Sequence, residues 1–109
     1  MAYDTELADR IRELVATEKD IAEKRMFGGL AFLVNGNMSV AASRSGGILV
    51  RVDPDDLVDL LDDRVQPAIM GGREMRGWLR VEAPAIEDDG PLREWVERGV
   101  AFARTLPRK

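Results

Sequence analysis

Three short apolar runs, residues 24–34, 37–43 and 47–52, are cut apart by Asn35-Gly36-Asn37 and Ser45-Gly46-Gly47. Turn signals this closely spaced leave no room for a crossover, so each run must come back beside the one before it as an antiparallel hairpin. Residues 65–70 and 74–83 repeat the arrangement around Gly71-Gly72. That punctuation restricts the middle of the chain to a meandering sheet.

The flanks have a different period. Leu7, Ile11, Leu14 and Val15 share one face of a helix expected from about Asp4 to Glu18, with Asp4 or Thr5 able to cap it. Asp53 as N-cap and Pro54 at the first helical position predict a short helix to about Leu61, with Leu57, Leu60 and Leu61 inward. Gly90-Pro91 opens a last helix to about Leu106 along the stripe Leu92, Trp95, Val96, Phe102, Ala103 and Leu106, with Gly99 seated for a close approach. The expected order is α-β-β-β-α-β-β-α. It describes an α+β two-layer sandwich of about five antiparallel strands with helices on one side, spanning residues 1–109 as a single domain.

Composition narrows the chemistry. The 109 residues include no His and no Cys, which removes the commonest general base, the thiol nucleophile and the usual zinc ligands. Any catalysis would fall to carboxylates, Arg, Lys, Ser, Thr or Tyr3, so the expectation is a protein that is not an enzyme and carries no cofactor. The acidic start MAYDTELADR lacks the basic and apolar regions of a signal peptide, and no run approaches a membrane span. With no disulfide framework, a cytoplasmic location is expected.

The net charge of −4 is unevenly distributed. Lys24 to Val52 contains no acid but carries Lys24, Arg25, Arg44 and Arg51, whereas Asp53 to Asp63 has six aspartates and no base. Arg64 to Val81 returns to four arginines against Glu74. The aspartates gather at the start of a helix, where they complement exposed N–H groups, so capping explains them better than a metal site.

Gly28-Gly29 raises the question of a phosphate cradle. Such a loop needs a helix N-terminus behind its glycines, and here a strand follows. Glycine within a strand instead marks a bend, a bulge or a close backbone approach.

One surface stands out. In REMRGWLRVEA, Met75, Gly77, Leu79, Val81 and Ala83 form a core face, which turns Glu74, Arg76, Trp78, Arg80 and Glu82 outward. By the same alternation Arg51 lies outward, Met38, Val40 and Ala42 inward, and Ser39, Ala41 and Ser43 outward as a smooth floor. Arg51, Arg76, Trp78 and Arg80 are therefore the candidate interaction residues. Three readings compete: a homodimer interface anchored by Trp78, a nucleic-acid or nucleotide surface stacking on it, or a tryptophan covered by its own chain. A single Trp and an acidic total oppose the nucleic-acid reading, and the homodimer is preferred.

Four stretches in this order, MFGGLAFLVNGNM, GGILVRVDP, GREMRGWLRV and LREWVERGVAFARTLP, resemble the TfoX/Sxy N-terminal domain family. The resemblance implies an α+β fold with an antiparallel sheet, related to secretion-chaperone-like folds that tend to dimerise. Longer members regulate natural competence in bacteria and carry a second, helical domain, whereas this sequence ends at Lys109. The expectation is a stand-alone, non-catalytic interaction or regulatory module that pairs with itself and has a further protein partner, with a nucleic-acid-associated regulator as the alternative.

Overall fold

The computed structural model describes residues 5–26, 28–44, 46–70 and 72–108. The expected cap at Asp4 and the turn positions Ser45 and Gly71 lie outside them. The chain begins with α1 (Thr5–Leu14), which buries Leu7, Ala8 and Ile11 and is shorter than its apolar stripe suggested. Four strands follow: β1 (Ile21–Met26), β2 (Gly29–Val34), β3 (Asn37–Ala42) and β4 (Ile48–Arg51). A short helix α2 (Leu57–Leu60), β5 (Val65–Met70), β6 (Arg73–Val81), a 3₁₀ turn at Ala83–Ile86 and α3 (Asp89–Arg104) complete it.

The strands form one antiparallel sheet of six in the order β1-β2-β3-β4-β6-β5, with the helices on one side. The expected α+β sandwich is the observed one. The count differs by one strand because the run 24–34 is a hairpin, not a single bent strand. It turns at Gly28 (φ +78°), so that Met26 faces Gly29. Gly29 itself is required by a neighbour: a Cβ there would sit 2.2 Å from the Ala42 carbonyl oxygen of β3. Asn35 and Gly36, at φ +53° and +83°, make the tight β2–β3 turn that the sequence announced.

The core lies between sheet and helices. Phe32, Val34, Val40, Ile48, Val50, Leu79 and Val81 from the sheet meet Ile11 of α1 and Leu92 and Val96 of α3. Burying a side chain such as Phe32 contributes about 1.5–3 kcal/mol. Gly99 lets α3 lie against β3, since a Cβ there would approach the Ser39 carbonyl oxygen to 2.6 Å. Val100 is also buried in this seam, whereas Trp95, expected in the core, packs half-buried at its margin with Arg98 over its ring at 5.6 Å.

Two irregularities break the expected alternation. In β3 the pairing with β2 slips between Phe32 and Leu33, which leaves Ser39 as an extra, bulged residue. Ser39 is fully buried and donates its hydroxyl to the Phe32 carbonyl at 2.8 Å, so it is not part of an outer floor. Met38, expected inward, pairs with Leu33 and lines the opposite side of the sheet. In β6 the register with β5 jumps from Pro67↔Leu79 to Ile69↔Glu74, around Gly77 at φ +82°.

The aspartate-rich segment is mostly turn. Asp53 accepts the Asp55 N–H at 2.9 Å, an Asx turn, and the helix beyond it has four residues and no side-chain cap. The expected cap at Asp53 and helix to Leu61 are therefore corrected. Pro54 to Asp56 form a turn first, and Leu61 is already extended.

Candidate functional site: the uncovered face of the sheet

Side chains that point away from the helices form a continuous rung across all six strands. Lys24, Ala31, Ala41, Leu49, Arg80 and Gln66 stand side by side through successive strand pairings. No helix among the described residues packs on this face. Its centre is low because Gly29, Ala31 and Ala41 are small, and the rim is built by Met26, Met38, Leu49 and Ile69. Together with Ser43, Arg44 and Arg80 they enclose a groove of about 400 Å³.

Met26 belongs to β1 and Ile69 to β5, the two edges of the sheet. In a flat sheet five inter-strand spacings would separate those edges by roughly 24 Å. Twist and curl bring them to one concavity instead. The groove is a property of the whole sheet and of no single segment.

Arg51 and Trp78 are brought together as expected: they pair across β4 and β6, with the guanidinium 5.8 Å from the ring centroid. The tryptophan is only 7% exposed, so its ring is already covered within the chain. Arg80 points along the same face toward the β3–β4 loop. It donates to Ser43 Oγ at 3.1 Å and to the Gly46 carbonyl at 2.8 Å, and it meets Glu82 at 3.2 Å. Arg80 thus clamps the loop at the end of the groove. Arg76 is exposed, and the shift around Gly77 separates it from the regular Trp78–Arg80 alternation.

Two residues that the sequence reading did not single out define the site more than Trp78 does. Arg44 is exposed at the groove, and no hydrogen bond or ion pair occupies its guanidinium among the described residues. Its stem lies over Gly28, where an added Cβ would come within 2.6 Å of Arg44 Cδ. Gly28 thus serves both the turn and the seating of this arginine. Ile69 is 62% exposed on the rim, where it extends the apolar lining of the groove. Neither signal was accessible to alternation, because Arg44 lies in a loop and Ile69 in the shifted pairing.

Charge is segregated in space as well as in sequence. The uncovered face carries Lys24, Arg44, Arg51 and Arg80 against Glu74, opposite Ile69, and Glu82, while the acidic α2 segment lies beside α3, where Asp53, Asp56, Glu94 and Glu97 line a common cleft with Arg98. Among the described residues no three acidic side chains are placed to hold a metal ion. Outside the groove one carboxyl is held away from its ordinary range. Arg12 of α1 donates to Glu23 of β1 at 2.6 and 2.7 Å, and this bidentate bond holds the Glu23 carboxyl below the usual glutamate range, against an opposing effect of burial and with a lesser contribution from the attraction of the charge.

These features define a class: an open-sheet α+β module with a shallow, basic-rimmed apolar groove on its bare face. Among the described residues no pair or triad of reacting groups converges in that groove. The TfoX N-terminal domain model matches residues 13–103, most of the 109-residue chain, and the chain belongs to that family. The family is not a known catalytic one, and it suggests a regulatory or competence-related role. No curated protein and no solved structure matches the chain. Among the described residues no helix is long and apolar enough to cross a membrane.

Proposed function

We propose that this chain is a non-catalytic regulatory module of the cytoplasm that acts by docking through the bare face of its sheet, with a second copy of itself as one partner. The observation that carries the reading is that face: a grooved, largely apolar surface free of helices, with Ile69 62% exposed at its rim. Two-fold pairing needs a patch that complements itself, and a projecting side chain beside a hollow of small residues supplies both halves. The family match supports a regulatory role, and a link to competence is part of the proposal.

The anchor of the pairing is Ile69 and not Trp78. With its ring 7% exposed, Trp78 holds up the fold around it, so Trp78→Ala would report on stability before it reported on association. The same burial weighs against a base-stacking surface.

Light scattering tests the pairing. Against a chain mass of 12.1 kDa, a particle of twice that mass is expected at high micromolar concentration, returning to the monomer in Ile69→Asp. Val58→Asp, on α2 and equally solvated at 75% exposure, is expected to leave the mass unchanged. A parent chain that scatters as a monomer at every concentration refutes the pairing.

A further inference from the structure

We propose that the groove is a binding site for a small amphipathic anion: a free carboxylic acid with a short saturated body, its chain against Met26, Met38 and Leu49 above the buried Ala31 and Ala41, and its carboxylate against Arg44. The proposal rests on the reading that the bare face is the working surface, and adds to it a ligand of defined chemistry.

Size and lining come first. A concavity of about 400 Å³ falls within the range of small-molecule sites, which are mostly apolar with a few placed polar groups. Here the apolar part is aliphatic and includes two flexible methionines, Met26 and Met38, which adapt to a chain of variable shape. Among the described residues no aromatic ring lines it, and an aliphatic lining suits a saturated chain better than a planar base.

Charge selects the head group. Among the described residues the lining itself contains no carboxylate, although Glu82 adjoins Arg80 and Glu74 stands opposite Ile69, and the two arginines of the lining differ in availability. Arg80 is committed to Glu82, Ser43 and the Gly46 carbonyl, whereas Arg44 is exposed and unpaired among the described residues. Its stem is held across Gly28, so the guanidinium is presented at the groove without much further loss of freedom. A guanidinium with an open edge matches a carboxylate in a two-point contact. Lys24, on the same rung as Ala31, adds a second positive charge in a chain whose net charge is −4. The site therefore attracts an anion against the sign of the molecule as a whole. Arg44 and Ile69 line one groove, and the proposed self-contact would fill the same hollow of Gly29, Ala31 and Ala41, so a carboxylic acid and a second copy compete for it.

Octanoate, 1-octanol and octylammonium, titrated separately and followed by amide chemical shifts and calorimetry, test the assignment. Octanoate is expected to shift residues of β2, β3 and β4 around Ala31, Ala41 and Leu49, and to bind at least tenfold more tightly than either analogue. Arg44→Ala, an exposed change, is expected to weaken octanoate about tenfold and to leave octanol unchanged, a difference of about 1.4 kcal/mol. Ala41→Leu, which fills the floor, is expected to abolish binding, and a thermal melt establishes that this variant is folded; if it is not, Arg44→Ala decides alone. Equal binding of octanol and octanoate, no saturable binding of octanoate, shifts confined to the helix side, or an unchanged affinity in Arg44→Ala each overturns the site. Tighter displacement of octanoate by a single-stranded oligonucleotide overturns it too. Because a second copy competes, octanoate is titrated at a concentration where scattering gives the monomer mass: binding by a chain that stays monomeric at every concentration refutes the self-pairing alone, and a monomer that does not bind octanoate refutes this site alone.

Discussion

Single atoms decide two of the glycines, in opposite directions. At Gly29 a methyl group would enter the space of the Ala42 carbonyl, 2.2 Å away, and backbone cannot yield there without parting β2 from β3. Gly29→Ala is therefore expected to cost about 1–3 kcal/mol, read as a lowered midpoint in urea denaturation. Gly90, in the first turn of α3, has open space around it and an ordinary backbone, so Gly90→Ala should raise the midpoint by a few tenths to about 1 kcal/mol. A close backbone approach was among the sequence meanings of Gly28-Gly29, and Gly29 bears it out. Which of the two glycines meets which neighbour was not readable, because Ala42 and Arg44 approach from a different hairpin. Trp78 marks the same boundary. Its outward position beside Arg51 followed from alternation, but its burial depends on everything that surrounds it.

Among the elements, arginines hold the helices on the covered side to the sheet, to one another and to the loop before β1. Arg12 joins α1 to β1 through Glu23, Arg10 reaches from α1 to the Ile86 and Glu87 carbonyls and to Asp89 at the head of α3, and Arg104 holds Glu18 and the Lys19 carbonyl. Glu23 ionises more readily in the folded chain than in the unfolded one. Its contribution is therefore complete above the ordinary glutamate range and disappears as the pH falls through its lowered folded value. The pair is partly exposed, so water screens it, and Glu23→Gln should lose only about 0.2–1 kcal/mol at neutral pH. Urea midpoints of parent and variant are expected to converge once the medium is acidic enough to protonate the parent's Glu23. Element type was legible throughout, since period-two and helical stripes are local. The hairpin hidden in 24–34, the bulge at Ser39 and the shift around Gly77 were not. Each is fixed by how one strand fits the next, and a strand read alone carries no record of its partner's register.

For the molecule as a whole, stability should be graded from the middle of the sheet outward. Strands β2, β3 and β4 are paired on both sides and covered by α3 or the core, while α2 has four residues, none of them buried. Hydrogen exchange is expected to be slowest at Ala31, Val40 and Val50, and fastest by several orders of magnitude at Val58 and Asp59. Uniform protection across these segments would contradict a single core beneath α3. The two-layer architecture could be read in advance because hairpins and amphipathic helices have few ways to cover one another. The groove could not, because it arises from curl that joins side chains forty-three positions apart, Met26 and Ile69, and curl has no local sequence signature. The two edges of the sheet carry a consequence of their own. Along β1, Ala22 to Arg25 are exposed in succession and three of them are charged, and β5 has Pro67, which offers no N–H to a neighbour. Each border thus resists the addition of a seventh strand from another molecule, the route by which open sheets run on into fibrils. A protein so protected at its margins can stay dispersed while keeping a bare, sticky face, because growth is stopped in the one direction that has no natural end.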